Sequence, residues 1–223
     1  MTDLVKISSA NGVTEILWNR PDKKNALSNA MYRAATAALA QAVEDKSISA
    51  VILGSTGDSF TSGNDLGDFA AAATGGEATA AGGFIEAIAQ FPKPLIGAVP
   101  GLAVGVGTTM LLHCDLVFVA DDAKLTTPFV NLALVPEAAS SMLLPARIGY
   151  ARSFAMFTLG EHLTGKQAAE LGVANASMAA SEVLGAARAA AAQLTKRPLG
   201  AVMATKKLMR DTDTIMTQLR TEG

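Results

Sequence analysis

An α/β core followed by a helical C-terminal third is the fold class that the sequence predicts, on three observations. Short apolar runs alternate with helical patterns up to about residue 140, the hairpin signal Asn11-Gly12 stands between the first two runs, and beyond Ser140 strand signals nearly vanish. Alternating strands and helices imply a layered core with mostly parallel pairing, because parallel neighbours need a crossover and a helix commonly supplies it. The 223 residues suit one large domain or one domain with a small appendage, divided at 1–140 and 141–223, and half of them are hydrophobic, enough for a well-buried core.

Residues 4–8 and 13–18 read as strands, joined by Asn11-Gly12, both of which tolerate positive φ. Arg20-Pro21-Asp22 breaks the regular pattern. A helix is expected from Ser28, an N-cap residue, to Glu44, with an alanine-rich interior free of Gly and Pro. AVILG at 50–54 is a buried strand between breakers; 55–67 is polar and Gly-rich, a loop; 70–83 is low in complexity, expected to be mobile and partly helical. A short helix at 84–91 stops at Pro92 and Pro94, a strand follows at 95–99, an apolar helix at 104–113 and a strand at 116–120. Helical patterns then cover 140–148, 151–159, 164–171, 181–194 and 199–209.

The formal net charge of -2 speaks against a basic face for nucleic acid, so an anionic ligand would need local positive charge. With one cysteine, Cys114, no intrachain disulfide is available, and with His113 and His162 as the only histidines no structural zinc site is expected. The opening MTDLVKISSANG lacks the apolar core of a signal peptide, and no run of 18 apolar residues offers a membrane span. A cytoplasmic location is the expectation.

Three segments could carry chemistry, and each has a plainer reading. GLAVGVGTTM (101–110) could present helix N-terminal amides to an anion, but Met110 stands where a dinucleotide fingerprint has its third glycine; close packing of a helix on a sheet explains the glycines too. FTSGNDLGDF (60–69) follows a buried strand, at the carboxyl end where α/β proteins bind ligands. Its acids lack EF-hand spacing, and Asp65 by itself reads as a cap. Glu137, in LALVPEAASSM, could be an acid favoured by a helix dipole. His113 and Cys114 read as packing residues, Lys23 and Lys24 as solvated ones.

Taken together, these segments resemble the crotonase (enoyl-CoA hydratase/isomerase) superfamily over about residues 4–210. NRPDKKNALS (19–28) is similar to its N-R-P-x-x-x-N-A-L motif, FTSGNDLGDF to its F-x-[AS]-G-x-D-[LI] loop, and the stretch from Lys93 to Pro136 to its K-P-x-I-A-x-[VI]-x-G-x-A-x-G-x-G region and following C-D. The resemblance implies a spiral of ββα units with a C-terminal helical region used for trimerisation, as a homotrimer or a dimer of trimers. It also implies an acyl-CoA thioester substrate, with coenzyme A part of that substrate and no separate cofactor. Two backbone amides would form an oxyanion hole, carried onto Ser62 and Val106. The two glutamates of the family's hydratases fall at Thr109 and Phe129, so both carboxylates are missing.

TPFVNLALVPEAASS (127–141) instead resembles the Δ3,Δ2-enoyl-CoA isomerase branch, whose catalytic glutamate falls on Glu137. Apolar neighbours (Leu132, Leu134, Val135, Met142, Leu143) are expected to raise its pKa. By the same resemblance Lys24, Ala26 and Leu27 line one side of the substrate and Thr61, Asn64, Asp65 and Leu66 the other, with Phe129 beside the acyl group. Lys206 or Lys207 would reach a phosphate in a neighbouring subunit. Two rival readings stand: a hydratase whose second acid comes from Asp68, Glu77 or Glu86, and a non-catalytic acyl-CoA-binding protein.

Overall fold

The hairpin forms where Asn11-Gly12 places it: these residues take φ of 53° and 80°, and β1 (Val5–Ala10) pairs antiparallel with β2 (Val13–Trp18), Ala10 opposite Val13. The computed structural model describes residues 2–73 and 79–222. Helix α1 (Asn29–Glu44) starts on Ser28, whose side chain accepts from the Met31 N–H. At its other end Lys93, from the K-P motif, donates to the carbonyls of Ala42 (2.6 Å) and Asp45 (2.8 Å), groups that a helix terminus leaves without partners. Met31, Tyr32, Ala35, Ala38, Leu39 and Ala42 recur at three- and four-residue spacing and form its buried face.

Two sheets follow from an alternation along the chain. Strands β3 (Ala50–Ser55), β5 (Leu95–Val99) and β7 (Leu116–Ala120) are added in parallel beside β2, and β10 (Ala176–Met178) closes the order β1-β2-β3-β5-β7-β10. Each of β3, β5 and β7 is followed by a three-residue strand of a second sheet: β4 (Ser59–Thr61), β6 (Leu102–Val104) and β8 (Lys124–Thr126), with β9 (His162–Thr164) antiparallel at the edge. Helical segments follow the pairs: α2 (Leu66–Ala73) and α3 (Ala81–Ala89) after β4, α4 (Val106–Thr109) after β6, and a 3-10 turn at Val130–Leu132 after β8. This is the spiral of ββα units that the family resemblance implies.

The C-terminal third is helical as expected, with α5 (Ser140–Ile148), α6 (Tyr150–Leu159), α7 (Gly165–Glu170), α8 (Ala180–Leu194), α9 (Leu199–Met209) and a further helix, α10 (Thr212–Glu222), past the last predicted one. The sequence reading missed β4, β6, β8, β9 and β10, since three residues are too few to display a period. It also ran 104–113 together as one helix. Val104 ends β6, Gly105 turns the chain at φ 55°, and α4 tightens into a 3-10 turn at Met110–His113. Of the segment 70–83, expected to be mobile, residues 74–78 lie outside the described residues, and helix occupies both flanks. The core is continuous beneath these layers, with Trp18 edge-on to Phe84 at 5.9 Å and Tyr32 against the same ring at 5.5 Å.

Candidate active site

The site begins with Asn25, which explains why the 19–28 motif has this shape. Asn25 is fully buried at φ 56°; its side chain accepts from the Arg20 N–H (2.7 Å) and donates to the carbonyls of Ser59 (2.8 Å) and Thr56 (3.2 Å). Asparagine tolerates the left-handed region and carries donor and acceptor on one short side chain. It thus ties the 20–27 turn to β4. The Leu27 N–H then donates to Gly63 O (2.8 Å) and the Asp65 N–H to Leu27 O (2.9 Å), so the two motif loops run side by side.

Strand register next sets two amides. β4 and β6 are parallel with Thr61 opposite Ala103, and Asn64 and Val106 each lie three residues past that pair. Gly63 takes φ 92°, and a Cβ on it would stand 3.1 Å from Val104 O, so the two loops meet closely there. Among the described residues no acceptor meets the N–H of Asn64 or of Val106. Val106 is the first residue of α4, where backbone amides lack partners within the helix. Ser62 is a correction: its N–H donates to Lys24 O at 2.9 Å and its hydroxyl to Lys23 O at 3.2 Å, so it offers no free donor. The Asn64 side chain is itself held, its Oδ1 accepting a short hydrogen bond from the Tyr32 hydroxyl.

Glu137 is the third component. Its carboxyl accepts from Thr109 Oγ1 at 2.5 Å, and Thr109 stands where the resemblance puts a hydratase glutamate. Although part of the residue's surface stays accessible, the carboxyl lies deep, and burial pushes its pKa up to about 7; the Thr109 hydroxyl opposes that rise and the charge of Glu222 adds to it. The phenol of Tyr32 feels the charge of Glu137 in turn: burial first, then that charge, holds it well above its ordinary value. The backbone around Glu137 is wound tightly, with Ala133, Ala138 and Ala139 all at positive φ (57°, 61° and 55°), a conformation that costs a non-glycine residue about 1–2 kcal/mol. The expected apolar surroundings need correcting. Leu132 (59% exposed), Leu134 and Val135 (66%) point outward, whereas Met142 and Leu143 pack with Ala139 against Ile215, Met216 and Leu219 of α10.

The remaining predicted residues divide between the site and its scaffold. Ala26 and Leu27 lie beside the 60–65 loop, and Lys24, whose carbonyl accepts from the Ser62 N–H, is exposed with φ 47°. Thr61 is buried, its hydroxyl donating to Asn25 O at 2.6 Å. Asp65 is a cap, as its plainer reading holds: it accepts from Gly67 N at 2.8 Å and pairs with Arg20 at 2.6 Å, which keeps its carboxyl below the usual range. Leu66 is 75% exposed, and Phe129 is buried against Phe157 at 6.2 Å, next to Gly105. Lys206 is corrected: its ammonium pairs with Asp115 (2.7 Å) and donates to Lys93 O (2.9 Å), facing inward, while Lys207 is exposed. Asp115 also accepts from the Leu95 N–H at 2.8 Å, so the C-D pair joins β5 to α9, and the Cys114 thiol is pushed up to about 12 by burial. Cavities of 630 Å³, between α5, α8 and α9, and 1010 Å³, beside β1 and α1, are lined by other residues than Glu137.

Sequence reasoning missed four features here: the Asn64 amide, the Thr109 hydroxyl, Tyr32 and Glu222. Only Thr109 carried a signal, as the occupant of a vacated glutamate position. Among the described residues no helix is long and apolar enough to cross a membrane.

The description Enoyl-CoA hydratase/isomerase matches residues 8–222. The chain belongs to this family. A relative in Rattus norvegicus named enoyl-CoA delta isomerase 2 is 39% identical over 170 residues, 74% of this chain and 43% of that protein. One in Rhodobacter capsulatus named probable enoyl-CoA hydratase is 32% identical over 206 residues, 91% of this chain and 79% of that protein. The chain spans about half the length of the delta isomerases it matches, 43–53%. Among solved structures, Pseudomonas aeruginosa OdaA aligns with a TM-score of 0.94 at 41% identity, covering 100% of this chain and 91% of that one. Relatives in the enoyl-CoA hydratase/isomerase family thus bear both isomerase and hydratase names, and membership fixes the scaffold rather than the direction of the chemistry.

Proposed function

We propose that the protein is an enoyl-CoA isomerase that shifts a 3-enoyl thioester to the 2-enoyl form, with Glu137 as the proton shuttle. The observation that carries this reading is the pairing of Glu137 with Thr109: one buried carboxyl, supported by a neutral hydroxyl where a two-acid hydration would need a second carboxylate. Ionised Glu137 takes the proton from C2, and the electrons move onto the thioester oxygen, which the Asn64 and Val106 amides hold. The resulting dienolate regains a proton at C4 from the same carboxyl, leaving the double bond between C2 and C3. A pKa near 7 suits a group that must both take and return a proton.

Among the described residues, the hydratase alternative draws no support from Asp68 or Glu86. Asp68 accepts from the Asn29 N–H (2.7 Å) at the start of α1, Glu86 is exposed on α3, and Glu77 lies outside the described residues. The coenzyme A portion would follow the exposed face of 23–27, with Lys207 rather than Lys206 free for a phosphate. Trimer assembly would cover exposed apolar side chains such as Tyr150, Phe154, Leu208 and Met209. Turnover of a 3-enoyl-CoA, followed through the 2-enoyl product, is expected to fall at least about a thousandfold in Glu137→Gln with the fold intact. Equal turnover by the two proteins would remove Glu137 from the mechanism, and hydration of a 2-enoyl-CoA at a comparable rate would displace the isomerase reading.

A further inference from the structure

The last helix brings a second carboxyl to the catalytic segment. Glu222 Oε1 accepts from both the N–H (3.1 Å) and the hydroxyl (2.5 Å) of Ser141, and Gln218, one turn earlier on α10, donates to the same hydroxyl at 2.9 Å. Ser141 lies in the first turn of α5, four residues past Glu137, and the Ser140 N–H donates back to Glu137 O at 3.1 Å. The other Glu222 oxygen, Oε2, is buried and has no hydrogen-bond partner among the described residues. Ile215, Met216 and Leu219 hold the helix down on Ala139, Met142 and Leu143. The contact is thus an apolar clamp closed by a polar latch, with one carboxylate oxygen left over.

We propose that Glu222 is a positioning residue for Glu137: it latches α10 onto the first turn of α5 and sets a like charge beside the proton shuttle. This deepens the isomerase reading and rests on it for its catalytic consequence. A buried like charge disfavours ionisation of its neighbour, which makes the ionised form of that neighbour a stronger base. Among the described residues, the Thr109 hydroxyl from α4 donates to the Glu137 carboxyl, whose charge interacts with the Tyr32 phenol of α1 and with Glu222 of α10. Glu86 on α3 and Arg220 on α10 are exposed, and His113, which reaches the adjacent Ala138 carbonyl, is kept neutral by burial. Glu222 is therefore the acid whose removal should act on Glu137 through space.

The Glu137 carboxyl carbon, followed by carbon-13 NMR and assigned by its loss in Glu137→Gln, supplies the test. Glu222→Gln keeps an oxygen for Ser141 and removes the charge, whereas Ser141→Ala weakens the latch and keeps the charge. The titration midpoint of Glu137 is expected to fall by about half a pH unit or more in Glu222→Gln and by less in Ser141→Ala, where the Ser141 N–H and the apolar clamp still hold α10. The acid limb of kcat should move down with it while KM changes less than about twofold. An unchanged midpoint in Glu222→Gln, or the same fall in both variants, would overturn the proposal. The midpoint is read without substrate, so a shift in a protein that turns over no 3-enoyl-CoA would sink the isomerase reading and leave the coupling standing.

Discussion

The contact between Glu137 and Thr109 decides how the carboxyl behaves. Burial alone would push its pKa higher still; the Thr109 hydroxyl, donating at 2.5 Å, stabilises the ionised form and holds the value to about 7. A hydrogen bond to a charged group contributes about 1.5–3 kcal/mol, which corresponds to roughly one to two pH units. Thr109→Val keeps the shape and removes the donor. Because the base is the form present above the pKa, the acid limb of kcat is expected to rise by that amount, slowing turnover about tenfold or more at pH 7 and little at pH 9. A pH–rate profile checks this, and an unmoved limb would mean that the hydroxyl does not support the reacting carboxylate. Much about Glu137 was legible in the sequence, since P-E-A-A-S-S is a local pattern. Its hydroxyl partner was not, because 28 residues separate the two and only the fold brings them together.

At the scale of elements, parallel strands with matched offsets align the Asn64 and Val106 amides. β4 and β6 end side by side, and the chain leaves each through a glycine at positive φ, Gly63 and Gly105, before presenting an amide. Helix α4 can also approach β4 closely: a Cβ on Gly107 would stand 2.4 Å from the Thr61 side chain, which is the packing reading of the 101–110 glycines. Val106 is the first helical residue, a position that suits proline's fixed φ and missing N–H. Val106→Pro is therefore expected to fold with a melting temperature near that of the wild type and to lower kcat by about 10²–10³, the loss that follows deletion of one oxyanion donor. If turnover stays within about threefold, the amide is not part of the site. The strand signals of β3, β5 and β7 were readable as continuous apolar runs. Their three-residue partners in the second sheet were hidden, since pairing across strands, and not a local pattern, makes them strands.

Across the whole molecule, His113 joins three regions. Its Nε2 meets Ala138 O at 2.8 Å beside Glu137, and its Nδ1 meets the Arg210 guanidinium at 2.7 Å at the junction of α9 and α10. Arg210 can only donate, so Nδ1 accepts and the neutral ring carries its proton on Nε2. Burial first, and Arg210 second, push its pKa down to about 3. The folded value thus lies below the unfolded value of about 6.5, so the contribution to stability is complete above pH 6.5 and is lost as pH falls towards 3. The full loss is on the order of 4–5 kcal/mol. In His113→Gln, urea unfolding at pH 7, 5.5 and 4 should show a flatter decline than in the wild type; parallel curves would show that His113 does not set the acid limit.

The sequence by itself determined what neighbours along the chain can specify: the Asn-Gly turn, the Ser28 cap, the apolar runs of the larger sheet, the glycine-led loops, and a single acid at 137 in place of two at 109 and 129. Tertiary structure alone decided which amide of the 60–66 loop is free, because the positive φ of Gly63 breaks the alternation of an extended strand and the Lys24 carbonyl engages Ser62 first. It likewise decided that Lys206 faces Asp115 and that Glu222 reaches the first turn of α5. Local conformational preferences act over a few residues, whereas a hydrogen bond or a buried charge takes its partner from whatever the packing of distant elements brings within about 3 Å.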